Sequence, residues 1–388
     1  MKLGVVPNDP VVAYLKTYGK NFLIRYFNPI DYFNEVHIFS PYEKKDYNLS
    51  EKIKVHGLLW SSVRTSFNVL YYVFRTAILI KIYGIHIIRA YNPFLAGLVA
   101  VISGKLTRVP VVISIHTDYE QQRYMSKPPL FKWAILEFIE KFTLKNADRI
   151  VCISEHLRKK VVSTGISSEK IKVIPNRVET DLFSPEQDKL KIRNLLGIKD
   201  KRVVLSVGRL DKDRYPYMQY VLRSEVSVIS RIPETMFVYV GDGDRRKDLV
   251  VLSKKLGIEE KTIFVGAQPR NQVAKFMAMA DVVVCPMSGF VLLEAASSAK
   301  PIIALGIDWH SEVIKNKETG LLVNCGDAEG LEFRDATPLS EAILFLLSNP
   351  SLGEKFGTNA RRIILKRFAW NILSQKEVDM YKQVISQK

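Results

Sequence analysis

Short β-branched runs alternate with longer helical stretches along the whole chain, and the alternation starts afresh near its middle. In the first half the runs are Lys2–Val6, Glu35–Phe39, Lys54–Leu58, Ile85–Ala90, Val111–Ile115, Arg149–Ile153 and Ile171–Ile174. They are nearly continuous in hydrophobicity, as strands become when helices cover both faces of a parallel sheet. Helical patterns such as Leu130–Leu144 and Glu155–Thr164 lie between them. After a polar segment, Ser184–Asp188, the runs resume at Arg202–Val207, Met236–Val240, Thr262–Val265, Val282–Cys285 and Pro301–Ala304. This pattern predicts an α/β chain of two doubly wound, Rossmann-like domains facing each other across a cleft. The expected boundaries are residues 1–184, 185–366 and a terminal amphipathic helix within 367–388. In such sheets ligands bind beyond the carboxyl ends of the strands, so those ends are where site residues are sought.

At 388 residues, 47% of them hydrophobic and 25% charged, the chain has ample material for two cores and none of the bias of a disordered segment. Its three cysteines, Cys152, Cys285 and Cys325, are scattered, odd in number and without metal-ligand spacing. They predict neither a disulfide framework nor a structural zinc site and fit a reducing, cytoplasmic compartment. The apolar stretch Phe67–Ile88 is interrupted by Arg75 and Lys81. A central charge costs a single membrane span about 2.5–3.5 kcal/mol, so a buried helix followed by a strand is expected instead. The formal charge of +17 points to an anionic partner, although basic residues spread along the whole chain would equally read as general solubility charge. With no zinc-finger spacing, compact arginine-rich arm or RNA-binding signature, a nucleotide diphosphate or an acidic membrane surface is favoured over nucleic acid.

Three places could carry chemistry. In Ser206–Arg214 a strand ends at Val207, and Gly208 turns the backbone into a loop bearing Arg209, Lys212 and Arg214. Guanidinium groups there are placed to hold a diphosphate in paired contacts, although a solvated basic loop would read the same. In Val282–Pro301 a strand runs through Pro286–Gly289 into a helix whose N-terminus, at Gly289 and Phe290, offers unpaired N–H groups to a phosphate. Glu294 on the second turn could accept hydrogen bonds from ribose hydroxyls or be an ordinary surface glutamate. His116 follows a strand directly, at the rim of a site, whereas His37, His56, His86, His156 and His310 read as structural, and no metal site is expected.

In their order and spacing these pieces resemble the GT4 glycosyltransferases of GT-B fold. The matching segments are IHTD (115–118), CISEHLRKKV (152–161), VIPNRVETDLFSP (173–185), VGRLDKDR (207–214), VGDGDRRKDL (240–249), FVGAQP (264–269), GFVLLEAASSAKP (289–301) and ETGLLVNCGD (318–327). The resemblance implies a retaining transfer of sugar from a UDP- or GDP-sugar, with no cofactor beyond that donor. The acceptor stays open among a lipid carrier, a glycan and a small molecule. It places His116 beside the transferred sugar, Arg209 and Arg214 on the donor diphosphate, Glu294 on the ribose, and Gly266–Gln268 on the base. It also implies that the final helix packs back on the first domain. The chain departs from the family in places. Pro286 stands eight residues before Glu294 where a second glutamate is usual, Asn176–Arg177 replaces Asn-Gly, and the expected N-terminal Gly-Gly loop is reduced to Gly19. These departures keep open a degenerate member that binds nucleotide or a partner without transferring sugar.

Overall fold

The computed structural model describes residues 1–59, 66–119, 129–185, 188–287, 289–324 and 335–387. Cys325, Ser288 and the end of the ETGLLVNCGD segment therefore lie outside the described residues. The chain divides into two compact units, Met1–Pro175 with Leu373–Lys388, and Asn176–Ile372.

The first unit is built on eight strands: β1 (Lys2–Val6), β2 (Glu35–Ser40), β3 (Tyr47–Asn48), β4 (Ile53–Gly57), β5 (Ile87–Ala90), β6 (Val111–Ile115), β7 (Arg149–Cys152) and β8 (Ile171–Val173). They lie in the order β3-β4-β2-β1-β5-β6-β7-β8, and every described pairing is parallel except β3 with β4. Strands β5, β6 and β7 are buried at every position, which is why their sequences do not alternate. The helix Glu155–Ser163 starts where Ser154 Oγ accepts from the Leu157 N–H at 3.1 Å, an N-cap that satisfies one of the helix's free donors. The closing helix, Trp370–Ser386, is tied to this unit through Arg89, the buried cation of β5. Arg89 ion-pairs with Glu377, donates to Tyr381 Oη at 2.8 Å and, through Nε, to Ser114 Oγ at 2.9 Å. The Tyr381 ring meets Phe33 edge-on.

The second unit has six strands: β9 (Arg202–Val207), β10 (Thr235–Val240), β11 (Thr262–Gly266), β12 (Val282–Cys285), β13 (Ile302–Leu305) and β14 (Leu321–Val323). All pair in parallel, in the order β11-β10-β9-β12-β13-β14. The first strand of the unit thus sits centrally, and the chain winds first to one side and then to the other. The reversal falls between β9 and β12, the position where doubly wound sheets open a crevice at their carboxyl edge. Segment 176–185 belongs to this unit by its contacts. Ser297 Oγ donates to Phe183 O at 2.6 Å, and Val178 bridges to Ala369.

No helix among the described residues is long and apolar enough to cross a membrane. The helix predicted from the interrupted apolar stretch spans Ser66–Tyr83, but it is not buried as expected: it packs one face on the unit and leaves Leu70, Phe74, Ile78 and Ile82 exposed. Cys152 and Cys285 are buried free thiols, and burial pushes the Cys152 thiol up to about 12.

Candidate functional site

Four loops leave the carboxyl ends of β9, β10, β11 and β12, and backbone hydrogen bonds lace three of them together. Gly208 N donates to Val240 O at 3.0 Å, Leu210 N to Asp242 O at 3.0 Å, and Arg245 N to Leu210 O at 2.9 Å. Gly241 N donates to Gly266 O at 2.9 Å. The close approach requires glycine. Gly241 has φ +148, and a Cβ there would stand 1.8 Å from Gly208 O. A Cβ on Gly243 would stand 2.4 Å from the Leu210 carbonyl. The fourth loop joins through side chains, since a Cβ on Gly208 would come within 3.5 Å of Met287.

Arg209 and Arg214 converge on one carboxylate. Arg209 Nε lies 3.2 Å and Arg214 Nη1 2.8 Å from Asp211 Oδ2. Asp211 thus holds two cations close together at the strand end, each of which would otherwise repel the other. Burial, and next the neighbouring Arg209 charge, lowers the Arg214 guanidinium from its usual value. Arg209 is 65% exposed and Arg214 half-buried, so the pair presents one open and one sheltered guanidinium. Across the reversal, Gly289 (φ +155, ψ −169) stands at the N-cap of the helix Phe290–Ser297, where it has no side chain to cap it. A left-handed φ with open space around the missing Cβ makes Gly289 a conformational requirement rather than a packing one. That helix end has the positive dipole that a phosphate uses.

Glu294 proves to be buried, 3% exposed, and already engaged. Arg270 Nη1 donates to Glu294 Oε1 at 2.6 Å, and the same guanidinium approaches Glu179 Oε2 at 3.3 Å while lying 5.1 Å from the Phe183 ring centre. Burial raises the Glu294 carboxyl above its usual value. Arg270 opposes that rise and Glu179 adds to it. Arg270 follows Gln268 by two residues and opens the helix Arg270–Met279, so the segment Gly266–Gln268 leads directly into the residue that orients Glu294. Sequence reasoning overlooked Arg270, although its signal was visible as a basic residue opening the helix after the β11 loop. Asp211, Gly241 and Gly243 were overlooked as well.

In the first unit the reversal lies between β1 and β5. His116 leaves the end of β6, half-buried, its ring centre 5.6 Å from that of Tyr91. Asn92 donates to Asn8 Oδ1, joining the loops after β5 and β1. Asp118 is committed to structure, ion-paired with Lys160 and 3.5 Å from His156 Nε2 on the following helix. The N-terminus of the helix Val11–Tyr18 is occupied by Glu43, whose Oε1 accepts from Val11 N at 2.7 Å and Val12 N at 3.3 Å. Gly19 is not part of the loop after β1. It separates that helix from Lys20–Phe27 with φ +82. Among the histidines read as structural, His37 and His56 lie within 3.0 Å of each other, with Glu35 and Asp46 at either end. Burial lowers the His37 ring to about 4. No cluster among the described residues could hold a metal ion.

So the structure brings Gly208, Arg209, Arg214, Gly266, Gln268, Gly289, Phe290 and Glu294 to one edge of one sheet, and places His116 on the other unit.

The family description "Glycosyl transferases group 1" matches residues 188–363, and "Glycosyltransferase Family 4" matches residues 34–182. Over 252 residues the chain is 29% identical to alpha-monoglucosyldiacylglycerol synthase of Streptococcus pneumoniae, covering 62% of this chain and 56% of that protein. Over 243 residues it is 27% identical to an Escherichia coli UDP-Gal:alpha-D-GlcNAc-diphosphoundecaprenol alpha-1,3-galactosyltransferase, covering 60% and 61%. These matches therefore span less than two thirds of either relative. In fold it superposes on sucrose-phosphate synthase from Thermosynechococcus elongatus with a TM-score of 0.81, over 100% of both chains at 18% identity. It superposes on Anabaena HepE in complex with UDP-glucose with a TM-score of 0.74, over 99% and 100% at 19% identity.

Proposed function

Because the chain belongs to the GT4-type glycosyltransferases of GT-B fold, we propose that it moves a sugar from a UDP- or GDP-sugar to an acceptor with retention of anomeric configuration. The observation that carries this reading is the pair Arg209–Arg214, gathered by Asp211 at the end of β9, the strand that pairs with β12 leading to the helix at Gly289. Loss of the sugar leaves negative charge on the diphosphate. Two guanidinium groups and a helix N-terminus fixed before reaction stabilise that charge without reorganising, and one such donor is worth about a hundred- to a thousandfold in rate. In this reading Gly266 and Gln268 contact the base, Glu294 receives the ribose hydroxyls, and Phe290 and Gly208 line the diphosphate. His116 works beside the transferred sugar, and the departing phosphate takes the acceptor's proton. The donor is the sole cofactor-like group required.

Two relatives carry lipids in their names, a diacylglycerol and a diphosphoundecaprenol. With the charge of +17 they support a lipid-linked acceptor met at the cytoplasmic face of an anionic membrane. A second reading, nucleotide binding without transfer, is favoured by Pro286 at the place of the family's first glutamate. Incubation of the folded protein with radiolabelled UDP- and GDP-sugars and a lipid extract separates the two. Transfer of label to lipid supports the proposal. Nucleotide binding with no donor turned over supports the second reading, and no binding of either nucleotide defeats both.

A further inference from the structure

Half of the large apolar side chains exposed among the described residues lie on three helices of the first unit, Ser66–Tyr83, Leu95–Thr107 and Leu130–Asn146. These helices lie side by side. Ser103 Oγ donates to Val73 O at 3.0 Å between the first two, and Lys105 lies 5.9 Å from the Phe142 ring centre between the second and third. On the first helix Leu70, Phe74, Ile78 and Ile82 recur at every fourth position, with Phe74 57% exposed. At 3.6 residues per turn they fill an arc of about 120° with Lys81 inside it and Arg75 at its margin. On the third helix Leu130, Phe131, Ile135 and Phe138 are exposed, Phe138 by 70%. They share an arc of about 140° with Lys141 and Lys145. Leu106 adds an exposed apolar residue from the middle helix. Monomeric proteins rarely leave so much apolar surface open in one place.

The charges on this layer decide what covers it. Arg75, Lys81, Lys105, Lys132, Lys141 and Lys145 are all exposed, against two acidic residues, Glu137 and Glu140, of which Glu137 is paired with Lys141 at 2.7 Å. A second copy of the chain would set these cations against themselves. An anionic bilayer accepts both components, phenyl and aliphatic groups entering the headgroup boundary while lysine and arginine heads reach lipid phosphates. We propose that this three-helix face, Leu70–Ile82 together with Leu130–Lys145, is the surface by which the protein docks on anionic phospholipid. The inference rests on the reading of a lipid-linked acceptor, and its test does not depend on transfer.

The full chain is floated with vesicles of phosphatidylcholine alone and with about a third phosphatidylglycerol. Each basic residue near such a surface strengthens partition about fivefold, so preference for the anionic vesicles should exceed tenfold and weaken in high salt. The double variant Phe74→Glu with Phe138→Glu should lose at least tenfold in anionic-vesicle binding while keeping its melting temperature and its nucleotide binding. Leu190→Glu with Leu195→Glu, exposed apolar positions in the second unit, should change nothing. Absence of lipid preference, an unaffected double variant, or a solution dimer that the same variant dissolves would each overturn the proposal. A wild-type chain that binds nucleotide but shows no preference for the anionic vesicles would overturn docking alone and leave the transferase reading standing.

Discussion

Replacing Arg270 by methionine should take the cation from the buried Glu294 carboxylate and from Glu179 beside it. The side chains of Glu294 and Glu179 are 4% and 15% exposed, and Arg270, itself 11% exposed, is the cation described for both. Removing one partner of such a buried group costs about 3–5 kcal/mol, because the remaining charge is left desolvated. Part of this cost is avoided by taking up a proton. The folded Glu294 carboxyl already titrates above its unfolded value because it is buried, and loss of Arg270 removes the group that opposes that rise. A carboxyl with a raised folded pKa gives stability that is present at low pH and lost as pH rises, so the variant should regain stability on acidification from neutral pH toward 5. Urea denaturation across that range measures this directly. Arg270→Met combined with Glu294→Gln should recover more than half of the loss at neutral pH. A single variant costing less than about 1 kcal/mol, or a double variant no more stable than the single, would refute the account of the cluster.

Three further outcomes follow from the same geometry. Arg209→Ala should lower turnover about a hundred- to a thousandfold in steady-state kinetics, with a melting temperature unchanged because a largely exposed ion pair contributes little. Gly241→Ala should cost more than about 2 kcal/mol in chemical denaturation and weaken nucleotide binding with it, since its methyl overlaps Gly208 O. Glu225 is fully buried, accepts from Tyr239 and Thr262, and is raised by burial from 4.5 to about 8. The wild type should therefore lose stability as pH climbs from 5 toward 8, at about 1.4 kcal/mol per unit at most, and Glu225→Gln should flatten that slope in thermal melts.

Much of the fold could be read from the chain because a parallel strand buried on both faces leaves an unbroken apolar run. Lys2–Val6, Val111–Ile115, Arg202–Val207 and Val282–Cys285 were expected with the bounds observed. Strand β5 begins at Ile87 rather than Ile85, because Ile85 N is taken by Ile80 O as the preceding helix closes. Tyr47–Asn48 and Leu321–Val323 are too short to leave any periodicity. Gly208 and Arg209 were expected at the end of β9 because they follow its last residue, Val207, directly. What Glu294 touches was not. Its partner Arg270 lies 24 residues away, and only the packing of the β11 and β12 loops reveals that the carboxylate is buried and paired. Gly241 and Gly243 escaped notice for the same reason, since a contact with the neighbouring loop is invisible in their own segment.

Calorimetric titration of UDP and of GDP into the wild type and into the Arg209→Ala, Arg214→Ala double variant tests most directly that the β9 and β12 strand ends hold a donor diphosphate. One of the two nucleotides should bind the wild type, more weakly as salt is raised, and the double variant should bind neither. Equal binding by the folded variant, or no binding by the wild type, would contradict the account.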